Sequence, residues 1–197
     1  MVGTTRSPAT NAQLGISMIE VLVTMVILAF GLLGMAGLQM RLQSSEMESY
    51  QRTQAMLLLD DMKSRIESNR LQAALYDERM SLASPVGEGM TCPAVDAAST
   101  RVDLDAKEWC DAVQGAGESS GAGKVGSMIG GRGCVEDLGI GPSGEKLFRV
   151  SVAWQGLTPI SAPSEACGAG AYNGLAGCTA DLCRRVVSTV IRMANLK

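Results

Sequence analysis

The feature that most constrains this chain is an uncharged apolar stretch near its beginning. Residues 21–40 read VLVTMVILAFGLLGMAGLQM and contain no Asp, Glu, Lys or Arg. As a helix, these 20 residues extend about 30 Å, which matches the hydrocarbon thickness of a bilayer. The stretch exceeds the apolar core of a secretory signal, about 7–15 residues, and no A-x-A-like cleavage site follows it. The sequence therefore predicts a helix that spans a membrane and remains in the protein.

One carboxylate lies at the start of this stretch. Glu20 directly precedes Val21, and a carboxylate within a bilayer is unfavourable unless it is paired, neutralised or held at the interface. Upstream, residues 1–15 contain one basic residue, Arg6, and no acidic residue. An unfavourable group at this position indicates a specific role for Glu20.

The helical pattern continues beyond the apolar stretch. Residues 41–75 contain neither Pro nor Gly, and large apolar residues recur there at near-helical spacing. These residues are Leu42, Met47, Tyr50, Leu58, Leu59, Met62 and Ile66. The pattern predicts one helix from Ser17 to Ala74, apolar on all sides over residues 16–40 and amphipathic over residues 41–75. Because so long a helix outgrows a small domain, its first half must be buried in lipid or against other copies.

The composition excludes several classes of function. The chain has no histidine, which removes the commonest general base, the Ser-His and Cys-His arrangements and most catalytic zinc sites. Its formal net charge of −3 gives no basic surface for nucleic acid. The glycine-rich residues 121–124 have neither Walker spacing nor a preceding strand. We expect no enzymatic activity, no cofactor and no bound metal.

All six cysteines lie downstream of the apolar stretch. They are Cys92, Cys110, Cys134, Cys167, Cys178 and Cys183. An even number on one side of a membrane segment indicates disulfides in an oxidising compartment, and six cysteines allow 15 connectivities. Buried free thiols are the alternative interpretation. A zinc site is disfavoured, because only one loosely spaced cysteine pair is present.

The C-terminal region, residues 76–197, shows shorter patterns. A short helix is predicted from Asp105 to Val113, with Asp103 or Asp105 as its cap and Trp109 as its buried anchor. Residues 114–133 are rich in Gly and Ser and predict a loop.

Two stretches with alternating apolar residues, 147–154 and 185–193, predict strands whose apolar face packs on the amphipathic half of the long helix. A long segment without a predicted helix or strand, residues 156–183, joins these two strands, and we call it the excursion. A loop of this length inside a small domain needs a restraint such as disulfides, or it carries a function.

The beginning of the chain resembles type IV prepilins. The residues that carry the resemblance are Gly15-Ile16-Ser17-Met18-Ile19-Glu20, followed by the apolar stretch and the amphipathic helix. The resemblance implies that residues 1–15 are a leader, which a prepilin peptidase removes after Gly15. It also implies that the new N-terminus, Ile16, is N-methylated. Glu20, fifth in the mature chain, would pair with the N-terminus of a neighbouring subunit and set the registry of assembly.

The end of the chain resembles the PilV group of minor pilins more than major pilins. The similar residues are Val150–Gly156, Cys167-Gly168 and Arg184–Val187, although the two arginines can also be ordinary charges on an edge strand. The resemblance implies an α+β, pilin-like fold: a long N-terminal helix, its first half transmembrane, packed on a small antiparallel sheet with disulfide-stapled loops. In the family, glycine-containing helices melt locally on polymerising. Gly31, Gly34 and Gly37 fit that behaviour and simple close packing equally well.

The implied function is that of a minor pilin that supports pilus assembly, twitching motility and surface adhesion. Its implied partners are the prepilin peptidase, the major pilin, other minor pilins and the inner-membrane assembly platform. The chain would cross the inner membrane once, with residues 76–197 in the periplasm, before it enters a surface pilus. Two alternatives remain open, a pseudopilin of a type II secretion system and a membrane-anchored periplasmic adhesin or binding module.

Overall fold

The computed structural model describes residues 16–115, 119–120, 123–124, 128–174 and 176–194. The chain divides into two compact units, Met1–Gln43 and Ser44–Lys197. We call the first the N-terminal unit and the second the head unit. One helix, α1 (Met18–Ser68), contributes residues to both units.

Helix α1 ends earlier than the sequence predicted. A 3₁₀ helix (Arg70–Gln72) and α2 (Ala73–Arg79) follow it, so the expected continuation to Ala74 is wrong. Near the break, the Ser68 hydroxyl donates to the Ser64 carbonyl at 2.8 Å, and the Asn69 amide donates to the Tyr76 hydroxyl at 3.4 Å. These polar side chains offer local bonds that compete with the helical ladder.

Helix α3 spans Arg101–Val113 and begins four residues before the predicted start. Its cap is Thr100, not Asp103 or Asp105 as predicted. Thr100 and Asp103 form a capping box, in which each side chain bonds to the backbone N–H of the other residue. Bonds from the Thr100 hydroxyl and backbone, together with Arg79, lower the pKa of Asp103 to about 2. The prediction for Trp109 is confirmed, because its side chain is fully buried.

The head unit contains one four-stranded antiparallel sheet of β1 (Val86–Gly87), β4 (Arg132–Ile140), β5 (Lys146–Gln155) and β6 (Arg184–Met193), in that order. The two predicted strands are confirmed as β5 and β6. Strand β4 was missed, because two glycines and a register shift between Asp137 and Gly139 interrupt its alternation.

The predicted loop 114–133 is partly strand, since β4 begins at Arg132. Within the same span, two strands of two residues each, β2 (Ser119–Ser120) and β3 (Gly123–Lys124), pair in antiparallel orientation. The remainder of this span lies partly outside the described residues.

The main core lies between one face of the sheet and the helices, as predicted. The buried residues of α1 in the head unit recur every three or four positions: Gln51, Ala55, Leu59, Met62 and Ile66. The apolar members of this stripe share one buried cluster with sheet residues Phe148, Val150, Val152, Trp154, Ile191 and Met193. Burying such a stripe against the sheet is the main stabilising contribution of an amphipathic helix.

The opposite face of the sheet is covered by the long excursion between β5 and β6. Cys134 and Ala153 of the sheet form a second buried cluster with Cys167 and Tyr172 of the excursion. The Tyr172 hydroxyl donates to the Gly130 carbonyl at 2.8 Å, and the Arg132 guanidinium lies 5.1 Å from the Tyr172 ring centre. Strand β5 is therefore buried on both faces over residues 150–154.

All six cysteines are paired in disulfides: Cys92–Cys110, Cys134–Cys167 and Cys178–Cys183. The first joins the loop before α3 to α3 itself. The second joins β4 to the excursion, and the third closes a short ring before β6. The alternative of buried free thiols is thereby wrong, and one of the 15 possible connectivities is selected.

Candidate functional site

The most unusual surface of the described chain is the apolar part of α1. Large apolar side chains from Ile16 to Met40 are between 43% and 90% exposed. By length and composition α1 can cross a membrane, and none of its most apolar 18-residue window is buried within the chain. A soluble monomer seldom exposes so much contiguous apolar surface, so this segment requires lipid or another protein around it.

Glu20 lies in the first turn of this helix. Its backbone N–H donates to the Ser17 carbonyl at 3.0 Å, and the N–H of Val21 donates to the same oxygen at 3.3 Å. The first backbone N–H groups of a helix carry a partial positive charge, which favours a carboxylate at this position. Glu20 is solvent-exposed, so it is available to a partner outside the chain.

The other residues predicted for this site are placed as follows. Ile16 is 77% exposed and lies two residues before the helix, whereas Gly15 and the rest of the predicted leader lie outside the described residues. Gly31, Gly34 and Gly37 are all helical, and a Cβ at any of them would meet nothing within 4 Å. The three glycines thus leave open positions along the helix where another backbone can approach closely.

Two arginines at the start of β6 hold the excursion that covers the sheet. Arg184 is 4% exposed, and its guanidinium donates to the carbonyls of Pro163, Glu165 and Cys167. Its Nε also lies 3.1 Å from an Asp181 carboxylate oxygen. The interpretation of Arg184 as an ordinary charge on an edge strand is therefore wrong, because its side chain is buried and donates to carbonyls that have no partner in the sheet.

Arg185 fixes the beginning of the same excursion. Its guanidinium donates to the Thr158 carbonyl at 2.6 Å and to a Glu48 carboxylate oxygen at 3.2 Å. The same oxygen of Glu48 accepts the backbone N–H of Leu157 at 3.0 Å. The sequence signal for this role was an Arg-Arg pair that ends a long loop directly after a cysteine, where unpaired carbonyls are expected.

A buried carboxylate joins the three helices of the head unit. Asp105 of α3 is 1% exposed and accepts from Arg65 of α1 at 2.9 Å, Arg101 at 2.7 Å and the Tyr76 hydroxyl of α2 at 2.5 Å. Burial alone would lower the pKa of Arg65, but bonds to Glu108, Asp61 and Asp105 outweigh it and raise that pKa. Burial, and then the bond to Asp105, raise the pKa of Tyr76 to about 12. Sequence reasoning missed this network, because its members are distant in the chain.

Searches of protein-family models, curated proteins and solved structures found no match to this chain. In the part of the chain that the structure describes, no three His, Cys, Asp or Glu side chains are grouped so as to hold a metal ion.

Proposed function

We propose that this protein is a minor pilin, similar to the PilV group, and a structural subunit of a type IV pilus. The observation that carries the proposal is the exposed apolar helical segment, with Glu20 in its first turn and a disulfide-bonded α+β head unit after it. The prepilin-like residues Gly15 to Glu20 support the same assignment. The protein acts through contacts with other proteins and has no catalytic role of its own.

In this proposal the apolar segment has two successive environments. Before assembly it crosses the inner membrane, with Glu20 at the cytoplasmic interface and the cysteine-rich region in the oxidising periplasm. After assembly it packs against the helices of neighbouring subunits. Glu20 then lies close to the positively charged N-terminus of a neighbour, because a buried carboxylate is tolerable only beside an opposite charge.

The proposed partners follow from this pathway. A prepilin peptidase cuts between Gly15 and Ile16 and methylates the amine of Ile16. The inner-membrane assembly platform then inserts the subunit among the major pilin and other minor pilins. The resulting fibre at the cell surface supports twitching motility and adhesion.

Mass spectrometry of the chain recovered from bacterial membranes tests this proposal. We expect a mature chain that begins at N-methylated Ile16 and whose mass rises on reduction by about two units per disulfide. A Gly15→Val variant is the matched control, since a larger side chain at the cleavage site should leave the leader attached. A wild-type chain that retains residues 1–15 would overturn the pilin proposal and favour a membrane-anchored binding module.

A further inference from the structure

One asparagine of the excursion is followed by glycine. Asn173-Gly174 is the one Asn-Gly pair in the sequence; the other asparagines precede Ala, Arg or Leu, and they are Asn11, Asn69 and Asn195. The backbone nitrogen of the residue after an asparagine lies within reach of the side-chain amide carbon, and attack there closes a five-membered ring. Glycine permits this attack best, because it has no Cβ to obstruct it and the widest choice of backbone angles.

The fold leaves this pair of residues open to attack. Asn173 and Gly174 are both solvent-exposed, and neither lies in a helix or strand. A Cβ at Gly174 would meet nothing within 4 Å. Among the described residues, no backbone carbonyl accepts a hydrogen bond from the Gly174 N–H. The attacking nitrogen can therefore approach the amide without breaking a backbone hydrogen bond or displacing a packed side chain.

The side-chain amide of Asn173 is prepared for attack by its hydrogen bonds. Its Oδ1 accepts the Asp181 N–H at 2.8 Å. When a nitrogen attacks the amide carbon, negative charge develops on that oxygen, and an N–H aimed at it stabilises the charge. The Nδ2 group, which must leave, is held by a long bond to the Gly170 carbonyl at 3.4 Å. The fold thus assists the attacked carbon and holds the leaving group weakly.

Asp181 keeps its N–H in this position because its own side chain and backbone are fixed. Its carboxylate accepts the Gly170 N–H at 2.9 and 3.0 Å and lies 3.1 Å from the Arg184 Nε. Its backbone φ is 61°, an angle that a residue other than glycine adopts only where surrounding contacts hold it. The Cys178–Cys183 disulfide closes a short ring around it. The donor that faces the Asn173 amide is therefore held in place.

We propose that Asn173 is a site of spontaneous covalent modification, converted to isoaspartate or aspartate through a succinimide. The Gly174 nitrogen gives up its proton and forms a bond to the side-chain amide carbon of Asn173. The bond from that carbon to Nδ2 then breaks, and Nδ2 leaves as ammonia with the proton. Water adds to one of the ring carbonyls and opens the ring, so water is the co-reactant. The site does not depend on the proposed function, because it arises from the excursion alone.

The product should loosen the cover over the sheet. A carboxylate oxygen replaces the Nδ2 donor and faces the Gly170 carbonyl, so two acceptors meet without a proton between them. Isoaspartate also lengthens the backbone by a methylene directly after Tyr172, which is buried against the sheet. Hydrogen exchange over residues 166–172 should therefore be faster in the modified chain than in the unmodified chain, and equal exchange would refute this loosening.

Incubation of the full chain in detergent at mildly alkaline pH, in water enriched in heavy oxygen, tests the proposal. Peptide mass spectrometry measures the label that enters a new carboxylate at each asparagine, and electron-transfer fragmentation distinguishes isoaspartate from aspartate. Asn173 should convert at least about tenfold faster than Asn69, which precedes Arg, and isoaspartate should be among the products.

Gly174→Ala is the matched control variant. The added methyl group has room, and the φ of this glycine is not left-handed, so the fold should persist. Conversion of Asn173 should nevertheless slow by at least about tenfold, because a Cβ obstructs the attacking nitrogen and narrows its backbone angles.

Three results would overturn the proposal. Conversion of Asn173 no faster than that of Asn69 would mean that the Asn-Gly pair is not reactive in this protein. Conversion only after the chain is unfolded in urea would mean that the fold shields the amide instead of assisting the attack. An unchanged rate in Gly174→Ala, or aspartate without isoaspartate, would mean that water attacks the amide directly and that no ring forms.

Discussion

Helix α1 has two parts that differ in the burial of their apolar side chains. In the head unit its stripe from Gln51 to Ile66 is buried against the sheet and the other helices. In the N-terminal unit the same helix has large apolar residues on all sides, and they are exposed. Both parts are helical and apolar, but among the described residues only the part in the head unit has buried side chains.

The comparison shows that the pattern of apolar residues indicates where the partner lies. An apolar stripe with polar residues opposite requires one covering surface, which a small sheet supplies. A helix that is apolar on all sides requires a complete apolar environment, which a bilayer or a bundle of other helices supplies. Changes in the head unit should therefore affect folding, and changes in the N-terminal unit should affect membrane insertion or assembly.

The largest difference in stability between variants of the two parts is expected at Trp109. Its ring is fully buried, and its Nε1–H donates to the Leu58 carbonyl of α1 at 2.8 Å. Trp109→Ala should lower the free energy of unfolding of the head unit by about 3–5 kcal/mol, measured by denaturant titration in detergent. Leu33→Ala, at a 68% exposed position of the N-terminal unit, should change it by less than about 0.5 kcal/mol. Equal effects would remove the distinction between the two parts.

Within the head unit, two disulfides that close loops of different length should differ in how much they stabilise the fold. Cys134 and Cys167 are 33 residues apart, whereas Cys178 and Cys183 are 5 apart. In the chain-entropy model, replacing the first pair by alanines should lower the unfolding free energy by about 4 kcal/mol and replacing the second by about 2 kcal/mol. Differential scanning calorimetry of the two double variants measures the order, and a reversed order would mean that the short ring has a larger structural role than its length indicates.

Asp105 should be the most sensitive charged residue of the head unit. Asp105→Asn leaves Arg65 with one less buried anionic partner and should lower the unfolding free energy by about 3 kcal/mol. Glu108→Gln changes another partner of Arg65, but at a side chain that is 51% exposed, and should have an effect below about 1 kcal/mol. Chemical denaturation of both variants distinguishes the buried pair from the exposed one. Similar losses would contradict the role assigned to Asp105.

The smallest effect expected is a pH dependence that arises from Tyr76. Its pKa is about 12 in the folded chain and about 10 unfolded, so between these values the unfolded state releases a proton that the folded state retains. The contribution of Tyr76 to stability is therefore complete below about pH 10 and is lost as the pH rises towards about 12. Tyr76→Phe should flatten the melting-temperature profile in this window relative to wild type. An unchanged slope would mean that burial and the bond to Asp105 do not raise the pKa of Tyr76 in solution.

Local patterns allowed part of this structure to be predicted from the sequence. The alternation in β5 and β6 and the apolar stretch before Met40 specify their elements directly, because each is visible within about ten to twenty residues. Strand β4 was missed, since Gly133 and Gly139 interrupt its alternation; the Trp109 ring occupies the space where a Cβ at Gly133 would lie.

The contacts of Arg184, Arg185 and Asp105 were also missed. Each joins residues that only the folded chain brings together, so the Arg-Arg pair after Cys183 signals unpaired carbonyls nearby but identifies none of the partners. For the same reason the disulfide connectivity could not be derived. In contrast, the prediction for Glu20 rests on a local signal, its position beside an uncharged stretch.

The central claim is that the exposed segment is an assembly surface whose registry depends on Glu20. The most direct test is whether Glu20→Ala enters filaments in piliated cells. The amount of cleaved chain in membranes and in sheared filaments is measured by quantitative mass spectrometry, with Glu46→Ala, in the head unit, as the matched control. We expect the Glu20 variant to be cleaved after Gly15 and retained in membranes but strongly depleted from filaments, with the control at wild-type levels in both. Wild-type amounts of Glu20→Ala in filaments would contradict the claim.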